Sequence, residues 1–503
     1  VTTEDIGVDY GTIQTEMKSE ASYDYSNLTF VCSTMGTLYG VDAAGDIRFF
    51  TNIGGTLGVH QLENGHLLMP ASYVLKSSYY KEGMIEVDLL GKIYREYMIP
   101  GGQHHDFVEL PDGNLLVASD SPDLSTVEDY VVEIDRETGD VVWELDMKDL
   151  ISQEDGQSAS MDSDGSEEAD WFHNNGLAYD AENDLVLLSA RHKDAIVAVN
   201  KEDGVDQSYF FTPEGEDFEW FYAQHNVSIL DNGDIALFDN GTAKVKRVDG
   251  DNRVSGDNVY SRAVVYQIDT ENMTVSQVTE YGKARGADWY SDWISGVVSL
   301  DGTQDHLWIT AGSHLHSDEE NRSDYYPKDM FVQGLTKTTH IDQVDNGELS
   351  FELTISGDTY NALTYRSFRM PLYTEGKYDP SAVPEVLGSL GETSYEESSI
   401  DVSTTEALPD GWNFLLDGSK ISVNGSFQTQ TAAADLLAGK MILISGESQR
   451  AYLLTQTPSE GDDGTNVTVK GWTAVDGLEG QEWDIYLELD GVLYNTGYMY
   501  SQA

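Results

Sequence analysis

One phrase recurs along this chain: an apolar strand, a turn built on Asp-Gly or Asn-Gly, and a second apolar strand. It is read in HQLENGHLLMPA from His60, HDFVELPDGNLLVAS from His105, HNNGLAYDAENDLVLLSAR from His173 and HNVSILDNGDIALFDNG from His225. A fifth copy, SGVVSLDGTQDHLWITAG, starts at Ser295. Asp-Gly and Asn-Gly favour tight hairpins because those residues tolerate positive φ. Each copy is followed by a second strand–turn–strand phrase, such as YVVEIDRETGDVVWEL or AVVYQIDTENMTVSQVTEY. Two hairpins make a four-stranded antiparallel unit. Such units, repeated every roughly 45–70 residues, predict a β-propeller.

Five units run from about His60 to Leu353. A sixth is split. NALTYRSFRMPLY, from Asn361, supplies one strand, and LTFVCST, TLYGVD and DIRFFTN near the N-terminus supply three. Joining the two ends closes the ring and removes free sheet edges. The expectation is an all-β chain: an N-terminal extension over 1–24, a six-bladed propeller over 25–375, a Pro/Gly/Ser/Glu-rich linker over 376–400 and a small antiparallel β-domain over 401–503. The aromatic residues of that last domain read as core.

The chain carries 89 acidic and 28 basic residues, a net charge of −61. Nucleic acid is excluded as a partner, because phosphate contacts need clustered Lys and Arg. An anionic substrate meets long-range repulsion, so an anion site must be built locally from Arg, His and backbone N–H groups. No apolar run is long enough to span a membrane. The N-terminus reads as neither a signal peptide nor an initiator, which implies that a leader preceded it, and the acidity suits an exported protein, extracellular or periplasmic. A homo-oligomer or a surface assembly is compatible with the charge and the appended domain. The single cysteine, Cys32, excludes an intrachain disulfide and Cys-based zinc or redox chemistry. Within LTFVCST it reads as a buried core thiol.

Histidine is the informative residue type. His60, His104 and His105, His173 and His225 open the first strand of successive blades. First strands line a propeller's channel, so these side chains would ring one point. A metal site would want three or four of them. An anion-transfer site would want His with Arg and amide donors. The neighbours favour the second: Asn174 and Asn175 follow His173, and Arg191 follows the apolar run LVLLSA. A nucleophilic His must be neutral, with one nitrogen held by a partner. For His225 that partner is either Asp239 or Asn240.

These segments resemble the bacterial arylsulfate sulfotransferases that do not use the nucleotide donor PAPS. The resemblance rests on HHDFVELPDGN, DWFHNNGLAYD with SARH, QHNVSILDNGDIALFDNG and YRSFRMPLY, and covers the propeller region. It implies a six-bladed fold and ping-pong transfer of a sulfuryl group from an aryl sulfate to a phenol, through a sulfohistidine and without cofactor or metal. It implies His225 as the nucleophile and the pair His173 and Asn175. It also implies Arg191, eighteen residues after His173, and a further histidine in the HHD segment. His105 is favoured there because it precedes Gly113 by eight residues, as His225 precedes Gly233; His104 stays open. A hydroxyl residue of the fifth blade corresponds to Ser295. The small C-terminal domain and the lone cysteine depart from the family's usual pattern.

Trp171, Trp220 and Tyr222 would either stack on an aryl group or pack between blades. Two other functions remain open at this level: a non-catalytic binding or structural propeller of a surface assembly, and a metal-dependent hydrolase using the same histidines.

Overall fold

The Asp-Gly and Asn-Gly turns close hairpins of one kind. At Leu110–Asn114, the Leu110 N–H donates to the Asn114 carbonyl and the Gly113 N–H to the Leu110 carbonyl, both at 2.8 Å. Gly113 has φ 89°, and Gly65 and Gly233 sit at 85° and 83° in matching turns. These are three-residue loops ending on a left-handed residue, where a Cβ would be strained. The Asp112 side chain tightens the loop by accepting the Asn114 N–H at 3.0 Å.

The computed structural model describes residues 8–34, 37–51, 57–62, 64–70, 81–120, 126–151, 170–202, 204–211, 219–241, 259–269, 272, 274–316, 334–372, 395–409, 411–416, 420–432, 436–446, 448–461, 464–475, 477–478 and 480–501. They form two compact units, one within Val1–Ala71 and Lys81–Tyr378, the other within Asp379–Ala503. Most of the linker expected over 376–400 lies outside the described residues. No helix among them is long and apolar enough to cross a membrane.

The first unit is nearly all-β, with short 3-10 turns such as Arg191–Lys193. Its strands form separate antiparallel sheets. The longest strand, Ile93–Glu109, ends one four-strand set and opens the next, so two sets share a seven-stranded sheet. A four-stranded sheet follows from Asn174–Asp180 to Gly204–Phe211, and another from His225–Ile229 to Thr274–Tyr281. The next runs from Gly296–Ser299 to Glu348–Gly357. The expected split sheet is present: Thr364–Pro371 pairs with Asn27–Ser33, which leads to Leu38–Val41 and Ile47–Thr51. The segment read as an N-terminal extension contributes a strand of its own. Thr12–Met17 pairs with the outer strand Glu348–Gly357, from Thr12 opposite Ser356 to Met17 opposite Phe351.

Neighbouring sheets meet through apolar faces. Leu187, Ile196, Phe221, Val227 and Leu237 fill one such interface. Phe238, Val265, Trp289, Val297 and Ile309 fill the next. Each such side chain contributes about 1.5–3 kcal/mol on burial. Trp171 and Trp220 belong to these cores, and their indole N–H groups donate to Asp129 Oδ2 at 2.5 Å and the Asp194 carbonyl at 2.9 Å. Tyr222 packs against the same cluster as Trp220. Of their two expected roles, packing is the one the geometry provides. Cys32 is fully buried, and burial pushes its thiol up to about 12, so it is inert.

The second unit has a six-stranded and a four-stranded sheet over a core that includes Ile421, Val423, Met441, Val467, Trp483 and Leu487. Alternating burial along Glu482–Leu489 matches its alternating sequence.

Candidate active site

Eleven described non-glycine residues have positive φ, and seven belong to one neighbourhood: His105, Glu128, His173, Ala223, Asn226, Ile294 and Ser295. Such backbone costs on the order of 1 kcal/mol or more per residue and clusters at functional sites. Here it bends the starts of the first strands. The approach is close: a Cβ on Gly176 would lie 2.7 Å from the Asn226 Cα.

His225 is buried at the head of its strand. Its Nδ1 lies 2.8 Å from Asn240 Oδ1. The Asn240 amide nitrogen is committed as a donor to the carbonyls of Ser291 (2.8 Å) and Ile294 (3.1 Å). Asn240 Oδ1 therefore accepts, Nδ1 of His225 carries the proton, and Nε2 holds the lone pair. That nitrogen meets one long hydrogen bond, from the Ile294 N–H at 3.2 Å. Burial, then Arg191 and Arg366, hold the ring's pKa well below 6.5, so His225 is neutral. Asn240, not Asp239, orients the imidazole. Asp239 instead pairs with Arg262 at 2.8 Å and accepts the Tyr222 and Gly241 N–H groups.

Arg191 is buried, and its guanidinium donates to His192 Nε2 at 2.8 Å. His192 is set for this because its Nδ1 donates to the Asp170 carbonyl at 2.8 Å. Arg366 donates to the carbonyls of Ser295, Tyr365 (3.2 Å) and Asn175 (3.1 Å) and lies over the Tyr365 ring, 4.4 Å from its centroid. Among the described residues, no carboxylate lies within ion-pair distance of either guanidinium. Arg48, Arg136, Arg262 and Arg285 all have such partners. Arg191 is buried and Arg366 half-buried; a cation withdrawn from water without a counterion is costly, and an anion repays that cost.

His173 is the cation among the histidines. Its Nδ1 donates to Asp170 Oδ2 at 2.8 Å and lies 2.6 Å from Glu128 Oε2. Burial opposes the charge, but the two carboxylates outweigh it and raise the pKa to about 9. Its Nε2–H has no protein acceptor among the described residues. The rings of His105 and His192 flank it at 4.9 and 4.5 Å between centroids.

His104 and His105 divide the work. His104 is fully buried, and its Nε2 donates to the Ser119 carbonyl at 3.0 Å. Its Nδ1 must then accept from His105 Nδ1, 3.0 Å away. His105 packs against His173 and, at 6.1 Å, against Tyr365, so His105 faces the cluster and His104 backs it. Both are pushed below the usual histidine range, by burial first.

Asn175 is buried; its amide donates to the Gln224 carbonyl at 2.8 Å, while its Oδ1 has no partner among the described residues. Ser295 is present differently from expectation. Its hydroxyl bonds Ser291 Oγ at 2.8 Å and accepts the Gly312 N–H at 3.0 Å, and its carbonyl holds Arg366. Ser295 thus shapes the Arg366 cradle through its backbone. His60 stands apart, on Asp106 at 3.3 Å and against Phe107.

Arg366, Glu128, Asp170 and Tyr365 were not singled out as site residues in the sequence. Arg366 alone carried a signal, an arginine in the strand that completes the split sheet. The two acids are invisible among 89.

The family described as arylsulfotransferase (ASST) matches residues 13–366. An arylsulfate sulfotransferase AssT of Escherichia coli O6:H1 (strain CFT073) is 26% identical over 354 residues, 56% of this chain and 56% of that one. Its counterpart in Lelliottia amnigena is 26% identical over 324 residues, 49% of this chain and 53% of that one. The chain spans about half the length of these curated relatives. Among solved structures, the β-propeller domain of Myceliophteria thermophila Cps50 (Swd1) aligns at TM-score 0.35 and 10% identity, over 67% of this chain and 85% of that one, too loosely to carry an argument.

Proposed function

Since this chain belongs to the arylsulfotransferase family, we propose that it moves a sulfuryl group from an aryl sulfate ester to a phenol in two displacements at sulfur, through a sulfohistidine on Nε2 of His225. One observation carries this: a neutral histidine with its lone-pair nitrogen fixed stands beside two guanidiniums that have no carboxylate partner among the described residues.

In the first displacement the Nε2 lone pair attacks sulfur and the bond from sulfur to the aryl oxygen breaks. Negative charge spreads over the sulfuryl oxygens and the leaving phenolate. Arg191 and Arg366 face that charge as preorganised donors, each worth about 3 kcal/mol. The phenolate takes the Nε2 proton of His173. A pKa of about 9 lies near that of a phenol, about 10, so the same group can later take a proton from the acceptor phenol. In the second displacement the acceptor oxygen attacks sulfur, the N–S bond breaks and His225 returns neutral. The residues need no metal or cofactor for these steps.

The six four-strand sets support a closed six-bladed propeller, with the split sheet as the join. Arg366 in that sheet reaches Asn175 in the third set and Ser295 in the fifth, as it would across a central channel. The large negative charge supports an exported protein, extracellular or periplasmic.

The test is release of nitrophenol from 4-nitrophenyl sulfate with a phenol acceptor present. Wild type should turn over and His225→Ala should not. A His225→Ala protein that keeps most of its activity would falsify the mechanism.

A further inference from the structure

We propose that His105, Glu128 and His173 also form a three-ligand site for a divalent transition-metal ion, zinc above all, and that an ion bound there switches the transfer site off. The blocking half rests on the role given to His173 above; the binding half does not.

One ligand atom from each residue lies within 4.8 Å of the others. Glu128 Oε2 is the centre: His173 Nδ1 is 2.6 Å away and His105 Nδ1 3.8 Å. Two imidazoles and one carboxylate are the donor set of an open zinc site, in which a fourth position is left to water or an outside ligand. Asp170 Oδ2, 2.8 Å from the same His173 nitrogen, is placed to fill that position or to hold a bound water. One outer contact suits an ion as well. The Asp120 carboxylate accepts the Glu128 N–H at 2.6 Å and holds that ligand's backbone in place, while the hydrogen bond from His105 Nδ1 to His104 is given up when the same nitrogen takes the ion.

The charge balance favours the ion. Glu128 and Asp170 bring two negative charges and His173 one positive. On binding, His173 gives up its Nδ1 proton and His105 moves its remaining proton to Nε2. The doubly charged ion then offsets both carboxylates. A second group, Asp170, His173 and His192, has similar spacing. It is the poorer host, because the Nε2 of His192 receives the Arg191 guanidinium and its Nδ1 donates to the Asp170 carbonyl. A dication there would sit beside a cation.

The consequence for transfer is direct. A His173 that is neutral and metal-bound has no acidic proton to give the leaving phenolate, and the ion's open position would hold an anion away from Nε2 of His225.

The experiment is a Co2+ titration of the full chain, because four-coordinate Co2+ absorbs visible light strongly whereas Co2+ on exposed carboxylates stays pale. Wild type should take up one strongly absorbing Co2+ that Zn2+ displaces. Zn2+ should abolish nitrophenol release, and a chelator should restore it. Glu128→Gln and His105→Asn, checked for fold by circular dichroism, should each weaken uptake about tenfold or more. His192→Asn should leave uptake unchanged. The proposal is overturned if wild type shows no strong absorption, or if Glu128→Gln and His105→Asn bind as wild type does. Loss of uptake in His192→Asn alone would also overturn it. Strong uptake by a protein that turns over no aryl sulfate would uphold the metal site and remove the sulfotransferase reading.

Discussion

Asn240 decides which nitrogen of His225 keeps its lone pair for the proposed attack on sulfur, and the decision is made by two carbonyls behind it. Asn240→Ala removes that control. The expected result is a kcat lower by roughly ten- to hundredfold with little change in KM for the donor, measured by steady-state kinetics. His173 is governed by a different pair, Glu128 and Asp170. Its pKa of about 9 should set the alkaline limb of activity, and His225, well below 6.5, the acid limb. Glu128→Gln removes one carboxylate that favours the charged form, so the alkaline limb should move to lower pH while the acid limb stays. The same raised pKa stabilises the fold. That contribution is full below the unfolded value of about 6.5 and is lost as pH rises through about 9. Arg191 faces no carboxylate among the described residues, so Arg191→Met should slow transfer by roughly a hundredfold or more yet leave the melting temperature unchanged or raised. The histidines and Arg191 were legible in the sequence because they are rare and recur at matched places. Asn240 could not be told from Asp239, since the two adjoin at a strand end and point to different partners.

At the scale of the strand, the site is made by bends. Left-handed residues at the heads of the first strands turn His105 and His173 toward one another. Gly176 lets the third and fourth sets approach, with Asn226 against the place its Cβ would take. Gly176→Ala should therefore cost about 1–3 kcal/mol in a denaturant titration and lower kcat as well. The hairpin turns were readable from Asp-Gly and Asn-Gly, and the split sheet from the strand left over at each end. The bends were not readable: Glu, Ala, Ile and Ser carry no signal for positive φ, and His and Asn only a weak preference for it. The strand at Thr12–Met17 was also missed, because it gains its place only by pairing with a partner more than three hundred residues away.

At the scale of the molecule, the function proposed for this chain of net charge −61 sets it to bind an anionic donor. The arginines resolve the conflict locally, while the surface opposes approach at long range. Added salt screens that surface, with a Debye length falling from about 10 Å at 0.1 M to about 3 Å at 1 M. The KM for an aryl sulfate should accordingly fall as salt rises, with kcat nearly constant, and a neutral phenol acceptor should show no such trend. Composition alone announced the repulsion. It could not announce its proposed remedy, because two guanidiniums with no carboxylate partner among the described residues look like any others in the sequence.

The most direct measurement is the mass of the intact protein after exposure to 4-nitrophenyl sulfate without acceptor, followed by peptide mapping. The expected result is one added sulfuryl group on the peptide holding His225, labile in acid and absent from His225→Ala. A sulfuryl group found instead on a serine or tyrosine, or no added mass while nitrophenol is released, would contradict it.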